Sequence, residues 1–162
     1  MRLIENVPLS THLIADLVTD RADLHLVWPL ARYPFDHDQW REVLNPDSGH
    51  VSFGIHVGAV LAGHAALRKT ERRDVYSVSY LYLAPEYRSR GLGRQMVALL
   101  EDYARTRLAA AELVLVARDY NPRALSCYRR CGFVETGREG TLIRMSKVLT
   151  SDAHTPGLPP KA

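Results

Sequence analysis

The chain has 162 residues, 46% of them hydrophobic and 24% charged, with a net charge of +3 and two cysteines. That length suits one globular domain and is short for two, and the composition is far from the disordered, collagenous and disulfide-rich classes. No apolar run is long enough to span a bilayer, the first residues lack the apolar stretch of a signal peptide, and the mild basicity would suit any anionic ligand, so the expectation is a cytoplasmic protein with no membrane partner.

A strand is expected around Leu3 to Val7. Leu13, Ile14, Leu17 and Val18 then recur at helical spacing, so a first helix starts near Ser10. Trp28 to Trp40, with two prolines and four aromatic residues, reads as a loop leading into a second helix, where Asp36 and Gln39 stand as a capping-box variant. Asp36 and Asp38 flank His37 and could form a catalytic cluster, although capping and solvation explain them more simply. Val51 to Val57 and Val60 to Leu67 are strand-like runs joined at Gly58-Ala59, a hairpin.

The charged segment Arg68 to Asp74 connects to a long aromatic strand, Val75 to Leu83, which Pro85 ends. Met96, Val97, Leu100, Tyr103, Ala104 and Leu108 follow helical spacing and predict a helix from about Leu92 to Leu108. Leu113 to Ala117 is a continuous apolar run, as expected of a strand covered on both faces. Asn121 as N-cap and Pro122 at the first helical position open another helix, and Gly132 ends it. Phe133 to Leu149 divides near Gly140 into two strands. A domain over 1–149 is expected, followed over 150–162 by a flexible tail containing Pro156, Gly157, Pro159 and Pro160. The order of elements implies an α/β fold, a mixed sheet with helices on both faces.

Cys127 and Cys131 lie four apart near the end of one predicted helix. They do not make a disulfide framework, and without a nearby His or Cys pair they do not complete a zinc site. Reduced packing cysteines and no metal are expected.

The segment that carries chemistry is Ala84-Pro-Glu-Tyr-Arg88-Ser-Arg-Gly91-Leu-Gly93-Arg94, between a strand and the longest helix. A helix start leaves amides unpaired at the positive end of the macrodipole, and two glycines let an anion approach them. A pyrophosphate is the natural guest. A Walker loop would need a Gly-Lys-Ser/Thr that is absent, and a dinucleotide fingerprint would need glycine where Met96 stands.

This segment resembles the acetyl-CoA-binding motif of the GNAT superfamily of N-acetyltransferases, Arg/Gln-x-x-Gly-x-Gly/Ala, at Arg88, Gly91 and Gly93. Leu81-Tyr-Leu83-Ala-Pro85 resembles the strand that leads into it. Downstream, Asn121-Pro-Arg-Ala124-Leu-Ser-Cys-Tyr128-Arg-Arg-Cys-Gly132-Phe133 is similar to the family's Asn-x-x-Ala-x-x-x-Tyr-x-x-x-Gly-Phe segment. The resemblance implies a GNAT-like fold, with a central, mostly antiparallel sheet and splayed central strands.

The same resemblance implies the site. The backbone around Leu81 and Leu83 would pair with the pantetheine arm of acetyl-CoA. Amides from Ser89, Arg90, Gly91, Leu92, Gly93 and Arg94 would bind the pyrophosphate, with Arg88 and Arg90 adding charge, and Asn121 would bond to the cofactor arm. Tyr128 would protonate the departing thiolate: a phenol with pKa near 10 can donate to a thiolate with reference pKa near 8.5. The implied activity is N-acetyl transfer to a primary amine by direct attack in a ternary complex.

No general base is legible. Many family members place a glutamate on the strand before the motif, yet Val75 to Leu83 contains no acid. Asp74, His64, His56, Glu71 and the Tyr80 or Tyr82 hydroxyls are candidates, beside a water relay. Deprotonating a lysine near pH 7.4 needs roughly 4 kcal/mol, and an α-amine under about 1 kcal/mol, so the missing acid favours a less basic amine. A covalent relay through Cys127 would imply ping-pong kinetics. A non-catalytic acyl-CoA-binding module is the alternative from another class, and a nucleic-acid partner lacks a basic-aromatic patch. The protein is expected to be a monomer or homodimer.

Overall fold

The structure is a computed structural model and describes residues 1–149; the tail expected over 150–162 lies outside the described residues. Seven strands form one sheet in the order β1-β2-β3-β4-β5-β7-β6. They are β1 (Arg2–Glu5), β2 (Val51–Val57), β3 (Val60–Lys69), β4 (Val75–Leu83), β5 (Glu112–Arg118), β6 (Val134–Glu139) and β7 (Leu142–Val148). Only β4 and β5 run parallel; every other neighbouring pair is antiparallel.

Helices α4 (Leu92–Arg107) and α5 (Pro122–Arg130) cover one face, and α1 (Thr11–Leu17), α2 (Arg21–Val27) and α3 (His37–Val43) cover part of the other. The first core joins Met96, Val97, Leu100 and Leu125 to Phe53, Leu67, Val78 and Leu113. The second seats Ile14, Leu24 and Trp40 on Ala66, Tyr80 and Tyr82. Apolar residues recurring every three or four positions give each helix one stripe to bury, and an irregularity in β4 after Ser79 inverts its alternation, so that Val78 and Leu81 face the first core and Tyr80 and Tyr82 the second.

Three sequence expectations need correction. Two helices were expected before the hairpin, but three short ones are present. α2 begins at Asp20, whose side chain accepts from the Asp23 N–H at 3.0 Å, a cap whose signal is hidden because only seven residues follow before Trp28. The capping box at α3 is half-formed: Asp36 caps the Asp38 and Gln39 amides, but the Gln39 side chain bonds instead to Arg32 and Leu30. β5 is covered on one face only. Leu113, Leu115 and Ala117 are buried while Val116 is 54% exposed, because α1 to α3 stop short of that half of the sheet.

The sheet opens at its centre. β4 and β5 pair only from Val75↔Glu112 to Ser77↔Val114, although β4 continues to Leu83 and β5 to Arg118. The register of β3 against β4 skips between His64↔Tyr82 and Ala66↔Ser79, so two residues of β4, Tyr80 and Leu81, face Ala65 alone. Tyr80 takes φ +54°. Such a bulge bends and twists the strand that carries it, which turns the end of β4 away from β5.

Candidate active site

Along the end of β4 that β5 no longer pairs lies a cleft of about 490 Å³, floored by Leu81 and Leu83 and closed on its sides by the starts of α4 and α5 and by α2. Arg88, Ser89, Gly91, Gly93, Arg94, Asn121 and Tyr128 line it with them. Of the residues put forward for cofactor binding and proton donation, Arg90 and Leu92 alone stand outside the lining; Arg90 is exposed in the loop, and Leu92 opens α4.

The loop before α4 is built for an external acceptor. Ser89 and Gly91 have φ +61° and +74°, and left-handed residues in such a turn direct successive amides towards one concavity. Gly91 is the N-cap, and no side chain caps the helix, so the first-turn amides are free at the positive end of a 16-residue macrodipole. A Cβ on Gly91 would meet nothing within 4 Å, whereas one on Gly93 would lie 3.4 Å from Cys127 Sγ. Gly91 is therefore required by its backbone angle, and Gly93 sits where α4 passes close to α5.

Arg88 lines the cleft and also braces it. Its Nε donates to the Leu83 carbonyl at 2.8 Å and a terminal nitrogen to Asp23 Oδ2 at 3.0 Å, which holds the end of β4 to α2. The Tyr82 hydroxyl donates to the same carboxylate at 3.2 Å, and burial with that carboxylate nearby pushes the phenol up to about 12. Further positive charge at the mouth comes from Arg94, Arg123 and Arg130, which line the cleft and make no ion pair among the described residues. Arg123 donates to Ser89 Oγ at 3.3 Å. Arg123, Arg130 and Asp23 carry no site signal in the sequence. Arg123 stands one position before Ala124 and Arg130 two after Tyr128, at positions the motif leaves open, and Asp23 rides on the unexpected helix α2.

α5 presents Asn121 and Tyr128 to the same cleft. Asn121 Oδ1 accepts from the Ala124 N–H at 3.4 Å, as an N-cap should. The Tyr128 ring packs edge-on against Phe133 with centroids 6.1 Å apart, and its hydroxyl takes no protein partner among the described residues. Burial holds its proton well above the usual phenol range, so it stays a donor at neutral pH. Cys127 lines the cleft as a half-buried thiol that burial pushes up, which disfavours the thiolate that a covalent relay needs. Cys131 is likewise a free thiol, raised by burial to about 11.

The base candidates are not gathered here. His64 is fully buried; its Nδ1–H donates to the Tyr80 carbonyl at 3.0 Å and its Nε2 accepts from Ser52 Oγ at 2.8 Å. Only a ring nitrogen bearing hydrogen can face a carbonyl, which fixes the tautomer, and burial lowers its pKa to about 4. It is a brace for the bulge. His37, of the acidic pair's cluster, bonds through Nδ1 to Thr11 Oγ1 at 2.7 Å, while Asp36 caps α3. His56, Glu71 and Asp74 are outside the cleft lining, as is Tyr80. Among the described residues no cluster of His, Cys, Asp and Glu could hold a metal, and no helix is long and apolar enough to cross a membrane.

Comparison with known proteins bears on this cleft. The family model described as "Acetyltransferase (GNAT) family" matches residues 15–133. The chain is 31% identical over 130 residues to the N-alpha-acetyltransferase RimI of Mycobacterium tuberculosis (strain ATCC 25618 / H37Rv), covering 79% of this chain and 73% of that protein. It is 33% identical over 84 residues to the streptothricin acetyltransferase of Streptomyces lavendulae, covering 52% of this chain and 44% of the relative. The backbone matches spermidine N-acetyltransferase from Vibrio cholerae, solved in complex with CoA and spermine, with a TM-score of 0.71 at 23% identity over 91% of this chain and 94% of that one; that likeness shows the fold.

Proposed function

The chain belongs to the acetyltransferase (GNAT) family, and we propose that the cleft between β4 and β5 carries out its reaction by direct transfer, with both substrates bound at once. It is an N-acetyltransferase that uses acetyl-CoA as cosubstrate and an amine as acceptor. The observation that carries the assignment of the cleft is the uncapped start of α4 opening on the gap between the splayed strands.

The residues present fit the cosubstrate. Free amides from Ser89 to Arg94 would hold the pyrophosphate, and Arg94, Arg123 and Arg130 would neutralise it. β4 has lost β5 as a partner along Val78 to Leu83, so its backbone there is an edge on which the extended pantetheine arm can pair. Arg88 keeps that edge in place through the Leu83 carbonyl, and the Asn121 side chain, which lines the same cleft, would bond to the arm. Acetyl-CoA supplies the activated thioester carbonyl; the protein supplies position and charge.

Tyr128 is the proton donor in this reading. Its hydroxyl has no competing partner, and its raised pKa keeps the proton available to a thiolate leaving at neutral pH. Asp23, the carboxylate in the lining, is held by Arg88 and Tyr82, so removal of the amine proton falls to water or to the amine's own low pKa. That again favours an α-amine or other weakly basic acceptor over a lysine. A free-thiol release assay with acetyl-CoA over an amine panel, paired with calorimetric titration of CoA, tests the assignment. Thiol release that depends on the amine supports it; CoA binding with no release from any amine would favour the non-catalytic module.

A further inference from the structure

The sheet face opposite α4 and α5 carries a cation that the described residues leave without a counter-ion. Arg68 of β3 is the cross-strand partner of Ser77, and Ser77 is the last residue of β4 to pair with β5. Arg68 therefore stands beside the point where β4 and β5 part, outside the cleft lining and on the strand that leads into it. Ser77 and Ser79 lie next to it, their hydroxyls 3.0 Å apart. The guanidinium lies 5.4 Å from the centroid of the Tyr80 ring. His50 is close enough for the Arg68 charge to lower its pKa together with burial, and its Nδ1 already accepts from the Lys69 amide at 3.1 Å, which leaves only an Nε2–H to offer.

Charge around this group is one-sided. Arg68 is half-buried, makes no ion pair among the described residues, and has its Nε buried without an acceptor; its guanidinium hydrogen-bonds the Tyr80 hydroxyl, a neutral partner. The charge acting on both His50 and Tyr80 is that of Arg68; no carboxylate acts on either. Nearby arginines differ: Arg72 is paired with Glu112 and Arg144 with Glu139. A guanidinium that has lost part of its hydration and gained no carboxylate is costly unless an anion completes it. Hydroxyls from two serines and one imidazole N–H add neutral donors to the same patch and no acid.

We infer that the acceptor is an amine that carries a carboxylate a few bonds from its nitrogen, read by the terminal nitrogens of Arg68 with Ser77 and Ser79 beside them. This rests on the proposed use of the cleft for acetyl transfer, and it assigns the acceptor's chemical class. It separates this chain from an enzyme for polycationic amines, which a lone arginine there would repel. Charge-assisted hydrogen bonds to a partly buried guanidinium correspond to roughly tenfold to a hundredfold in KM.

The test is steady-state thiol release with the full chain and acetyl-CoA, using the ω-amino acids from glycine to 5-aminopentanoate, each beside its carboxamide, with spermidine as the polycationic control. The expected result is a kcat/KM at least about tenfold higher for one acid than for its amide. Arg68→Gln should raise KM for that acid towards the amide value, and Arg68→Lys should restore part of it, with CoA affinity unchanged in both. Equal use of acids and amides by the wild type, or an Arg68→Gln loss that is the same for both and lies in kcat, would overturn the inference while leaving acetyl transfer standing. Absence of thiol release with every amine would instead overturn the reading of the cleft on which it rests.

Discussion

Beneath β2 to β4, Asn6, Ser52 and His64 have a protein partner for each of their side-chain polar groups, whereas at the cleft mouth the first-turn amides of α4, the Tyr128 hydroxyl and Arg94 and Arg130 have none among the described residues. Both regions hold groups that catalysis uses, and a histidine is the more familiar choice. The difference is in what is already satisfied. His64 is closed at both ring nitrogens and fixes the carbonyl of a left-handed residue in β4; it shapes the gap without entering it. Tyr128 and the α4 amides have donors to spare and open space in front of them. Unspent polar groups around a cavity mark the site better than residue type does.

The largest effect that sharpens this contrast should come from Gly91→Glu. Its side chain would project into open space and set a carboxylate where the proposed pyrophosphate site lies, so CoA binding by calorimetry should be lost, at least a hundredfold, with the fold retained. Gly91→Asn carries the same backbone demand at φ +74° without the charge and should keep most of the affinity. If the Glu variant binds CoA as the wild type does, the open helix start is not the phosphate site.

Tyr128→Phe should lower kcat by about 10²-fold, near 2.7 kcal/mol, while CoA affinity and thermal stability hardly move, since the hydroxyl has no protein partner to lose. An unaltered rate with unaltered acetyl-CoA binding would make Tyr128 a packing residue.

His64 should behave in the opposite sense, affecting stability and leaving the rate little changed at neutral pH. Its pKa is about 4 in the folded chain and near 6.5 when unfolded, so between these values the unfolded state holds the extra proton. The stabilising contribution of the neutral ring is complete above about pH 6.5 and is lost as the pH falls towards 4, by about 2 kcal/mol between pH 7 and pH 5. Urea unfolding at the two pH values, compared with His64→Gln, isolates the term; a pH-independent difference between wild type and variant would contradict it.

Asn121 belongs to both regions, because it caps α5 and faces the cleft. Asn121→Ala should cost about 0.5–1 kcal/mol of stability, the low end for a cap whose hydrogen bond is 3.4 Å long. CoA affinity should fall by less than about tenfold, one neutral hydrogen bond. A stability loss with no change in affinity would return Asn121 to the purely structural side.

Much of this was legible before the structure. Hairpins, strand ends and the helices α4 and α5 follow from periodicity and from Gly58, Pro85, Asn121, Pro122 and Gly132, all of which act locally. The two motif segments converge on one cleft because their signal is a backbone conformation, and backbone conformation is what glycine and N-caps encode. Less legible was whatever depends on residues far apart in the chain. α2 is too short for periodicity to register, and with it Asp23 and its hold on Arg88 were hidden. The motif arginine reads from sequence as a phosphate ligand, and its further bonds to Leu83 and Asp23 depend on elements that are far apart in the chain. β5 looks doubly covered from its composition, yet coverage is decided by where α1 to α3 stop. His64 and Arg68 are ordinary strand residues in sequence; the bulge at Tyr80 and the end of β4–β5 pairing give one a partner at each nitrogen and leave the other without a counter-ion.

The central claim, that the cleft transfers an acetyl group from acetyl-CoA to an amine, is tested most directly by following free thiol in a mixture of wild-type chain, acetyl-CoA and an amine panel, with mass detection of the product. Amine-dependent thiol release with a 42-Da gain on the amine, about the mass of an acetyl group replacing hydrogen, is the predicted result, and it should vanish in Gly91→Glu. Stoichiometric CoA binding without release from any amine, or release that continues unchanged in Gly91→Glu, would contradict the account.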